Sequence, residues 1–325
     1  MPANLTPEYR NADEVFRQAK TDEDRLLALE EMLSTIPKHK GTEKMQADIK
    51  HRIAKIKLAK EQKGGKKGFS YHIPTEGSGQ VALVGGVNVG KSQLLKSLTH
   101  AEPEIGPWPF TTSIPLPGMM AFEDIQIQLV DLPPFSPEHT EHWVPEMVRS
   151  ANVVLLVTDL TEASLQDIDF VMDRLDQVKL KLVREIDPSQ PFNIVQKRTL
   201  LVCNKLDGPD ALGNFEVLKE LYGGRFDLIS VSALEGTNLD ALRRAVFDLL
   251  RIMRIYPKQP GKPVDRSTPF TIPIGSTLLE FAQVVHKDFL NLKFARLWGT
   301  GAKFDGQTIN REQVLHDRDI VELHL

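Results

Sequence analysis

Hydrophobic residues recur at helical spacing over roughly the first sixty residues of the chain. They do so on both sides of a short turn at residues 37–41, at intervals of three and four. The positions are Leu26, Leu29, Leu33 and Ile36 before the turn and Met45, Ile49, Ile53 and Ile56 after it. This pattern predicts a hairpin of two amphipathic helices, and the glycine-rich run 63–68 that follows predicts a flexible linker.

After the linker, short apolar runs alternate with helical patterns. The alternation is typical of an α/β domain that has a mainly parallel sheet with helices on both faces. The predicted strands cover residues 80–84, 119–123, 125–130, 153–158, 199–203 and 228–231. An amphipathic helix over 238–255, a proline-rich boundary and a small α+β domain from Thr268 onwards complete the predicted order.

A glycine-rich run links the first predicted strand to a helical pattern. It reads Gly85-Gly86-Val87-Asn88-Val89-Gly90-Lys91-Ser92 and fits the spacing G-x-x-x-x-G-K-[ST]. Glycines in such a loop let backbone N–H groups surround phosphates at the positive end of a helix. Lys91 is therefore predicted to reach the β- and γ-phosphates, and Ser92 to bind Mg²⁺. Gln93, the next residue, is predicted to lie beside the nucleotide.

Further motifs follow later strands, in the order that a guanine-nucleotide site requires. Asp131, 40 residues after Lys91, ends a predicted strand and fits the carboxylate that holds Mg²⁺. Asn204-Lys205-Leu206-Asp207 follows another strand. The Asp207 carboxylate can accept from the N1–H and the 2-amino group of guanine together, a donor pair that adenine lacks, so an ATP site is disfavoured. Ser232-Ala233-Leu234 is predicted to close the base pocket.

Composition and charge narrow the setting of this site. The chain of 325 residues is 41% hydrophobic and 26% charged, as in ordinary globular proteins, and its single cysteine, Cys203, excludes an intramolecular disulfide. No run approaches the roughly 20 apolar residues of a membrane span, and the first ten residues are polar. We therefore expect a cytoplasmic protein with no membrane contact.

One segment departs from the overall net charge of −4. From Lys38 to Lys67 there are eleven Lys and Arg against three acids, a local charge of +8, so the rest of the chain sums to −12. Such a segment suits a polyanionic partner. The alternative is a solvated, lysine-rich helix face without a partner.

Taken in order, the motifs resemble the Obg branch of P-loop GTPases, and within it the developmentally regulated GTP-binding (DRG) proteins. Pro109-Phe110-Thr111-Thr112 is similar to the switch I motif of that branch. The run 254–263 is similar to the DRG linker, and the basic hairpin resembles the DRG N-terminal region. Four later runs look like the TGS domain of these proteins, a ubiquitin-like β-grasp module. They are Gly275-Ser276-Thr277, His286-Lys287-Asp288, Trp298-Gly299-Thr300 and residues 314–319.

The resemblance implies Mg²⁺-dependent GTP hydrolysis and a role around ribosomes or translation. It implies that Thr112 completes the Mg²⁺ shell, so that Ser92, Thr112 and Asp131 are the metal residues. It also implies catalytic roles for Lys91, Thr112 and Asn88, the last because some Obg-type GTPases hold K⁺ partly through a P-loop asparagine. The basic segment 38–67 would contact the ribosome or ribosomal RNA, and the TGS domain a protein partner.

Three features depart from the family pattern. The 72 residues between Asp131 and Asn204 are too few for the extra insertion that DRG proteins carry, and Gln93 stands where the family has threonine. Switch II reads Asp131-Leu132-Pro133-Pro134, with proline in place of the glycine whose N–H meets the γ-phosphate. Phe135 is not such a departure. It occupies the position of the catalytic glutamine of Ras-like proteins and cannot orient a water, but the resemblance implies slow hydrolysis without it, since Obg-type GTPases generally lack that glutamine.

We therefore predict an N-terminal helical region over 1–64, a P-loop GTPase (G) domain over 65–257 and a TGS domain over 266–325. The predicted function is that of a slow GTPase. The alternative is a guanine-nucleotide-binding adaptor with negligible turnover, because Pro134 removes the GTP-sensing hydrogen bond.

Overall fold

The computed structural model describes residues 9, 12–13, 16, 22–37, 42, 45–50, 52–53, 73–99, 114–136, 140–161 and 164–324. The chain divides into two compact units, Met1–Ser70 and Tyr71–Leu325. Among the described residues, no helix is both long and apolar enough to cross a membrane.

The first unit is helical. Helix α1 covers Asp22–Thr35, and residues 45–50 are helical after the turn. Leu29 and Ile36 from one side of the turn and Ile49 from the other are buried in one cluster, as a helical hairpin requires. Ile56, the linker 63–68 and much of the basic segment 38–67 lie outside the described residues.

The first part of the second unit is a seven-stranded sheet with helices on both faces. Its strands are β1 (Gln80–Gly85), β2 (Leu116–Phe122), β3 (Ile125–Asp131), β4 (Val153–Asp159), β5 (Leu180–Val183), β6 (Val195–Asn204) and β7 (Asp227–Ser230). The helices are α2 (Lys91–Leu98), α3 (Val144–Ser150), α4 (Ser164–Gln177), α5 (Ala211–Tyr222) and α6 (Leu239–Leu250). The short strand β5 was missed by sequence reasoning.

The strand order is β2-β3-β1-β4-β6, with β5 beside the first part of β6 and β7 beside its second part. All pairs are parallel except β2–β3, which is an antiparallel hairpin. Strand β1 is buried along its whole length because helices cover both faces. Ala82 and Val84 pack with α3, α4 and α5, whereas Val81 and Leu83 pack with α2 and α6. The predicted parallel α/β architecture is confirmed.

The last part of the chain forms a second, five-stranded sheet. Its strands are β8 (Ile252–Lys258), β9 (Phe270–Pro273), β10 (Phe294–Trp298), β11 (Gln307–Ile309) and β12 (Asp319–His324). They lie in the order β11-β10-β12-β8-β9, with β8 and β12 parallel in the centre. Helix α7 (Leu278–Val285) buries its apolar face against this sheet, and a short 3₁₀ helix, Lys287–Asn291, follows it. A helix packed on a mixed sheet agrees with the small α+β domain that the sequence predicted and with the β-grasp fold that the resemblance implied. The assignment as a TGS domain stays a prediction.

The boundary between the two sheets differs from the prediction. The helix predicted over 238–255 ends at Leu250, because Arg251 adopts a left-handed conformation with φ 55°. The next residues, Ile252–Lys258, are the first strand of the C-terminal sheet rather than the end of the G domain. The predicted ranges 65–257 and 266–325 therefore misplace this strand. Four successive residues of this strand are buried, so both of its faces are covered. The strand therefore lacks the alternation of apolar and polar residues by which a half-exposed strand is recognised.

Candidate nucleotide-binding site

The predicted nucleotide motifs meet at one edge of the first sheet. The glycine-rich loop follows β1, Asp131 ends β3, and Asn204 ends β6. Ser232 follows β7 at the same edge. The carboxyl ends of parallel strands are the usual position of ligands in such sheets.

The loop between β1 and α2 has the backbone of a phosphate cradle. Asn88 and Gly90 both have positive φ, 60° and 90°. A Cβ on Gly90 would lie 2.3 Å from the amide nitrogen of Asn204, and one on Gly85 would lie 2.1 Å from the carbonyl oxygen of Val157. Both positions therefore require glycine, and the loop packs tightly on β4 and β6.

Lys91 is buried beneath this loop, with 7% of its surface exposed. Its ammonium group donates to the carbonyl oxygens of Gly85 at 3.2 Å and Gly86 at 2.7 Å. Burial lowers the pKa of Lys91 to about 8, although Asp131 and Asp167 oppose the shift. A cation whose solvation is replaced only in part is poised to gain from an anion such as a phosphate.

Ser92 and Asp131 form a pair beside Lys91. The Ser92 hydroxyl donates to Oδ2 of Asp131 at 2.5 Å. The other carboxylate oxygen, Oδ1, is buried and has no hydrogen-bond partner among the described residues. Burial raises the pKa of Asp131, while the Ser92 hydrogen bond and the Lys91 charge lower it. An orphaned carboxylate oxygen next to a hydroxyl fits the oxygen-rich shell of Mg²⁺.

Asn204 connects the phosphate loop with the loop after β7. Its side-chain nitrogen donates to the Val89 carbonyl at 2.9 Å, and its oxygen accepts from the Ala233 N–H at 3.0 Å. Asn204 is 3% exposed, and its two hydrogen bonds connect the phosphate loop to the loop after β7. The amide supplies one donor and one acceptor at the required positions, which a carboxylate could not.

The residues predicted to surround the base lie farther out. Asp207 is exposed, and its Oδ1 accepts from the Ser232 hydroxyl at 2.5 Å. Lys205 pairs with Asp159 at 2.7 Å. Leu234 is 76% exposed, so the described loop leaves the Asp207 carboxylate open to a ligand edge.

A cavity of about 300 Å³ lies between the phosphate loop and the start of switch II. Its wall includes Val87, Asn88, Lys91, Ser92, Gln93, Asp131 and Pro134. Phe135 is not part of that wall, is 2% exposed, and donates its N–H to the Gly85 carbonyl at 3.1 Å. The aromatic ring therefore anchors switch II in the core, close to α3, and is not available to a catalytic water.

Two predicted residues do not join the cluster in the same way. The Gln93 side chain is exposed and donates to Ser97 one helical turn further on, at 3.4 Å. Thr112 and the rest of the switch I motif lie outside the described residues. The ligand contacts of all the site residues stay a prediction.

Sequence reasoning missed one acidic residue of the site. Asp167 on α4 approaches the phosphate loop so closely that a Cβ on Gly86 would lie 2.8 Å from its carboxylate. Burial raises the pKa of Asp167, Asp159 raises it further, and Lys91 lowers it. Asp167 lies in the first turn of α4 and belongs to no local motif, because its place at the site depends on α4 packing against β1.

Comparisons with known proteins agree with this architecture. The family of 50S ribosome-binding GTPases matches residues 80–205. An uncharacterised GTP-binding protein of Methanocaldococcus jannaschii is 29% identical to this chain, over 93% of this chain and 92% of its own length. Developmentally-regulated GTP-binding protein 1 of Xenopus laevis is 24% identical, over 92% of this chain and 98% of its own length.

Among solved structures, the YchF GTPase of Schizosaccharomyces pombe is similar with a TM-score of 0.55. It is 13% identical and covers 78% of this chain and 99% of its own. At this identity the similarity shows the fold alone. The relatives that span nearly the whole chain confirm the resemblance drawn from the motifs.

Proposed function

We propose that this protein, a P-loop GTPase similar to the DRG proteins along most of its length, binds GTP and GDP with Mg²⁺ and hydrolyses GTP slowly in the cytoplasm. The observation that carries the proposal is the buried Lys91 beside the Ser92–Asp131 pair, whose carboxylate is half-satisfied, at the same sheet edge as Asp207. A cation, a metal-type carboxylate and an open base acceptor are the three elements that a guanine nucleotide requires.

Each residue has a defined task in this proposal. Lys91 neutralises the β- and γ-phosphates, and the N–H groups of the phosphate loop surround them. Ser92 and Asp131 would hold Mg²⁺, and Thr112 would be a third metal ligand. The ion would supply positive charge where negative charge develops on the phosphate oxygens. Asp207 accepts from the guanine edge, and Ser232 orients it.

Substitution of Asp207 tests the guanine assignment. Asp207→Asn should weaken GTP binding about 100-fold, because a loss of about 3 kcal/mol follows when two donors lose their acceptor. The variant should gain affinity for xanthine nucleotides, which present the complementary pattern. Asp210→Asn removes an exposed carboxylate three residues away and serves as the matched control. Equal wild-type affinities for ATP and GTP would contradict the proposal.

Slow hydrolysis is supported by the burial of Phe135 in the core, which leaves no side chain from that position to orient water. The alternative, an adaptor with negligible turnover, is supported by Pro134, which lacks an N–H to meet the γ-phosphate. Single-turnover measurement of GTP cleavage distinguishes them. Cleavage above the rate of a Lys91→Met control supports the GTPase, and cleavage equal to that control supports the adaptor.

A potassium ion is the second cation that we propose, on the basis of Asn88. This residue lines the cavity and has an exposed side chain. If its amide helps hold K⁺, cleavage should be faster in KCl than in NaCl at equal ionic strength, because the ion adds charge beside the phosphates. Equal rates for wild type and Asn88→Ala in both salts would contradict this assignment.

We also propose contact with the ribosome or ribosomal RNA through the basic segment 38–67, and with a protein through the C-terminal β-grasp sheet as a TGS domain. The matching family is described as ribosome-binding, and Lys50 and Arg52 are exposed in the helical stretch whose Ile49 is buried. Replacing Lys50, Arg52, Lys57 and Lys60 with Gln should weaken co-sedimentation with ribosomes and flatten its salt dependence. GTP binding should not change. Normal co-sedimentation of this variant would assign the contact to the C-terminal domain.

A further inference from the structure

Residues of the C-terminal domain form hydrogen bonds and ion pairs with the tip of the β2–β3 hairpin. The hairpin turns at Glu123 and Asp124, and Glu123 takes the positive φ of 50° that a two-residue turn needs. Both carboxylates point to Arg254 of β8. Arg254 is 1% exposed and is one of the largest fully buried side chains among the described residues.

The Arg254 guanidinium is satisfied on every side. One of its terminal nitrogens donates to Glu123 at 2.5 Å and Asp124 at 2.7 Å. The other donates to Asp317 at 2.6 Å, and Nε donates to the same carboxylate at 3.1 Å. The ring of Phe247 on α6 lies 5.0 Å below the guanidinium. Such a bidentate, stacked arginine has a single well-defined geometry.

Two further contacts connect the hairpin tip to the C-terminal domain. The Tyr256 hydroxyl on β8 donates to Asp124, and Arg318 pairs with Glu123. Hydrogen bonds from Arg254 and Arg318 lower the pKa of Glu123, and burial together with the Asp124 hydrogen bond raises the pKa of Tyr256. The hairpin tip therefore contributes two carboxylates to a charge cluster, and the C-terminal domain contributes two guanidinium groups, the Tyr256 hydroxyl and the Asp317 carboxylate.

The same hairpin leads directly to the nucleotide site. Strand β3 starts at Ile125, next to the Glu123–Asp124 turn, and ends at Asp131. The Asp131 carboxylate accepts a hydrogen bond from the Ser92 hydroxyl. Between these points it is paired with β1 on one side and β2 on the other. A strand hydrogen-bonded on both sides moves as a unit, so a displacement at one end is felt at the other.

We propose that the C-terminal domain, acting through Arg254 and Tyr256, holds the β2–β3 hairpin in a position that one nucleotide state favours over the other. The inference rests on the proposed guanine-nucleotide site. If the bound nucleotide changes the strength of this contact, the contact must change the relative affinity for the two nucleotides by the same factor. Arg254 and Tyr256 are thus positioning residues that touch no nucleotide.

The test compares three single variants of the full chain with wild type. Tyr256→Phe removes the hydrogen bond to Asp124, and Asp124→Asn removes the charge that pairs with Arg254. Both substitutions nearly keep the side-chain volume. Tyr222→Phe is the matched control, because its hydroxyl also donates to an aspartate, Asp169 at 2.9 Å, away from the hairpin. For each protein, the Kd of GDP and of a non-hydrolysable GTP analogue is measured with Mg²⁺ present. Hydrogen exchange of Ile252–Lys258 is followed with each nucleotide bound.

We expect the ratio of the two Kd values to shift about fivefold or more in both hairpin variants and to stay unchanged in Tyr222→Phe. Wild-type protection of Ile252–Lys258 should differ between the two nucleotides. A purely structural role would lower the melting temperature in all three variants without moving the ratio. Unchanged ratios with equal protection would overturn the inference and leave the guanine site intact. Absence of guanine-nucleotide binding by wild type would instead contradict the proposed function.

Discussion

Two buried cations in this protein have opposite surroundings. Lys91 lies under the phosphate loop and donates to two backbone carbonyl oxygens, so its positive charge is only partly compensated. Arg254 lies between the C-terminal sheet and the β2–β3 hairpin, where three carboxylates meet it. Burial lowers the pKa of Lys91 to about 8, whereas the carboxylates raise the pKa of Arg254 despite its burial.

This difference distinguishes a ligand site from a fully paired ion cluster. The cluster joins the C-terminal sheet to the β2–β3 hairpin through Arg254, Glu123, Asp124 and Asp317, and we call it the joint. An incompletely paired buried charge costs free energy in the absence of its ligand, and the ligand recovers that cost on binding. A fully paired charge leaves nothing for a ligand to add, and it instead makes the two elements that it joins depend on each other. The orphaned Oδ1 of Asp131 belongs to the first kind, and the carboxylate of Asp124 to the second.

Removal of the Arg254 charge should have the largest effect on stability. Arg254→Met leaves Asp124 and Asp317 without their cation and Glu123 with Arg318 alone. It should lower the free energy of unfolding by about 3 kcal/mol, since removing one partner of a buried pair leaves uncompensated charge. Chemical denaturation monitored by circular dichroism measures this loss. Arg184→Met, which removes an exposed pair with Asp227, is the control and should change stability by less than about 1 kcal/mol. A loss no larger than that of the control would show that the joint is not stabilising.

Removal of the Lys91 charge should change the free energy of unfolding in the opposite direction. Lys91→Met should raise the free energy of unfolding of the nucleotide-free protein by up to about 3 kcal/mol, because each unit by which the pKa is lowered corresponds to about 1.4 kcal/mol. The same variant should bind GTP about 100-fold more weakly, because charge-assisted contacts with phosphate are lost. Denaturation and nucleotide titration are measured on the same preparation. A variant that is both less stable and normal in GTP binding would reverse the comparison.

Restoring a backbone donor in switch II should sharpen the ligand side of the comparison. Pro134→Gly returns an N–H near the γ-phosphate, worth about 1.5–3 kcal/mol, so binding of a GTP analogue should tighten about 10- to 150-fold. GDP binding should hardly change, since GDP lacks the γ-phosphate. Pro133→Gly is the control, because it adds flexibility one residue earlier. Tight, selective binding of the analogue by wild type, with no gain in Pro134→Gly, would mean that other groups sense the γ-phosphate.

Acid should loosen the complete joint, with the smallest effect of this series. Hydrogen bonds from Arg254 and Arg318 lower the pKa of Glu123. Burial alone would raise the pKa values of Asp124 and Asp317, but hydrogen bonds that include those from Arg254 lower both overall. Groups with lowered pKa values stabilise the fold fully above their ordinary values, about pH 4, and lose that contribution as the pH falls through the lowered values.

The measurement is hydrogen exchange of Ile252–Lys258 from pH 6 down to about pH 3, corrected for intrinsic exchange. All the charged and titratable groups of the cluster are involved: Glu123, Asp124, Arg254, Tyr256, Asp317 and Arg318. Protection should fall toward the acid end in wild type and change less in Arg254→Met, where Asp124 and Asp317 have lost their cation and only Arg318 still pairs with Glu123. A pH-independent wild-type profile would contradict the electrostatic account.

The order of the nucleotide motifs could be predicted from the sequence because each motif is local. A glycine loop after an apolar strand, a carboxylate at a strand end and an Asn-Lys-x-Asp run each combine a turn with its chemistry within eight residues. Parallel topology then brings them to one edge without further information. The two helical patterns on either side of the 37–41 turn were readable for the same reason, since hydrophobic periodicity is a property of neighbouring residues.

The joint and the details of switch II were decided by the tertiary structure. Ile252–Lys258 has a spacing that suits the end of a helix, and it becomes a strand because β12, more than sixty residues later, offers a partner. Phe135 leaves the nucleotide pocket because the core beside α3 accepts its ring. Arg254 meets Asp124 across 130 residues of sequence. Such contacts join elements that are far apart in the sequence, so no local pattern records them. Only the packed chain shows which buried charge is fully paired and which is not.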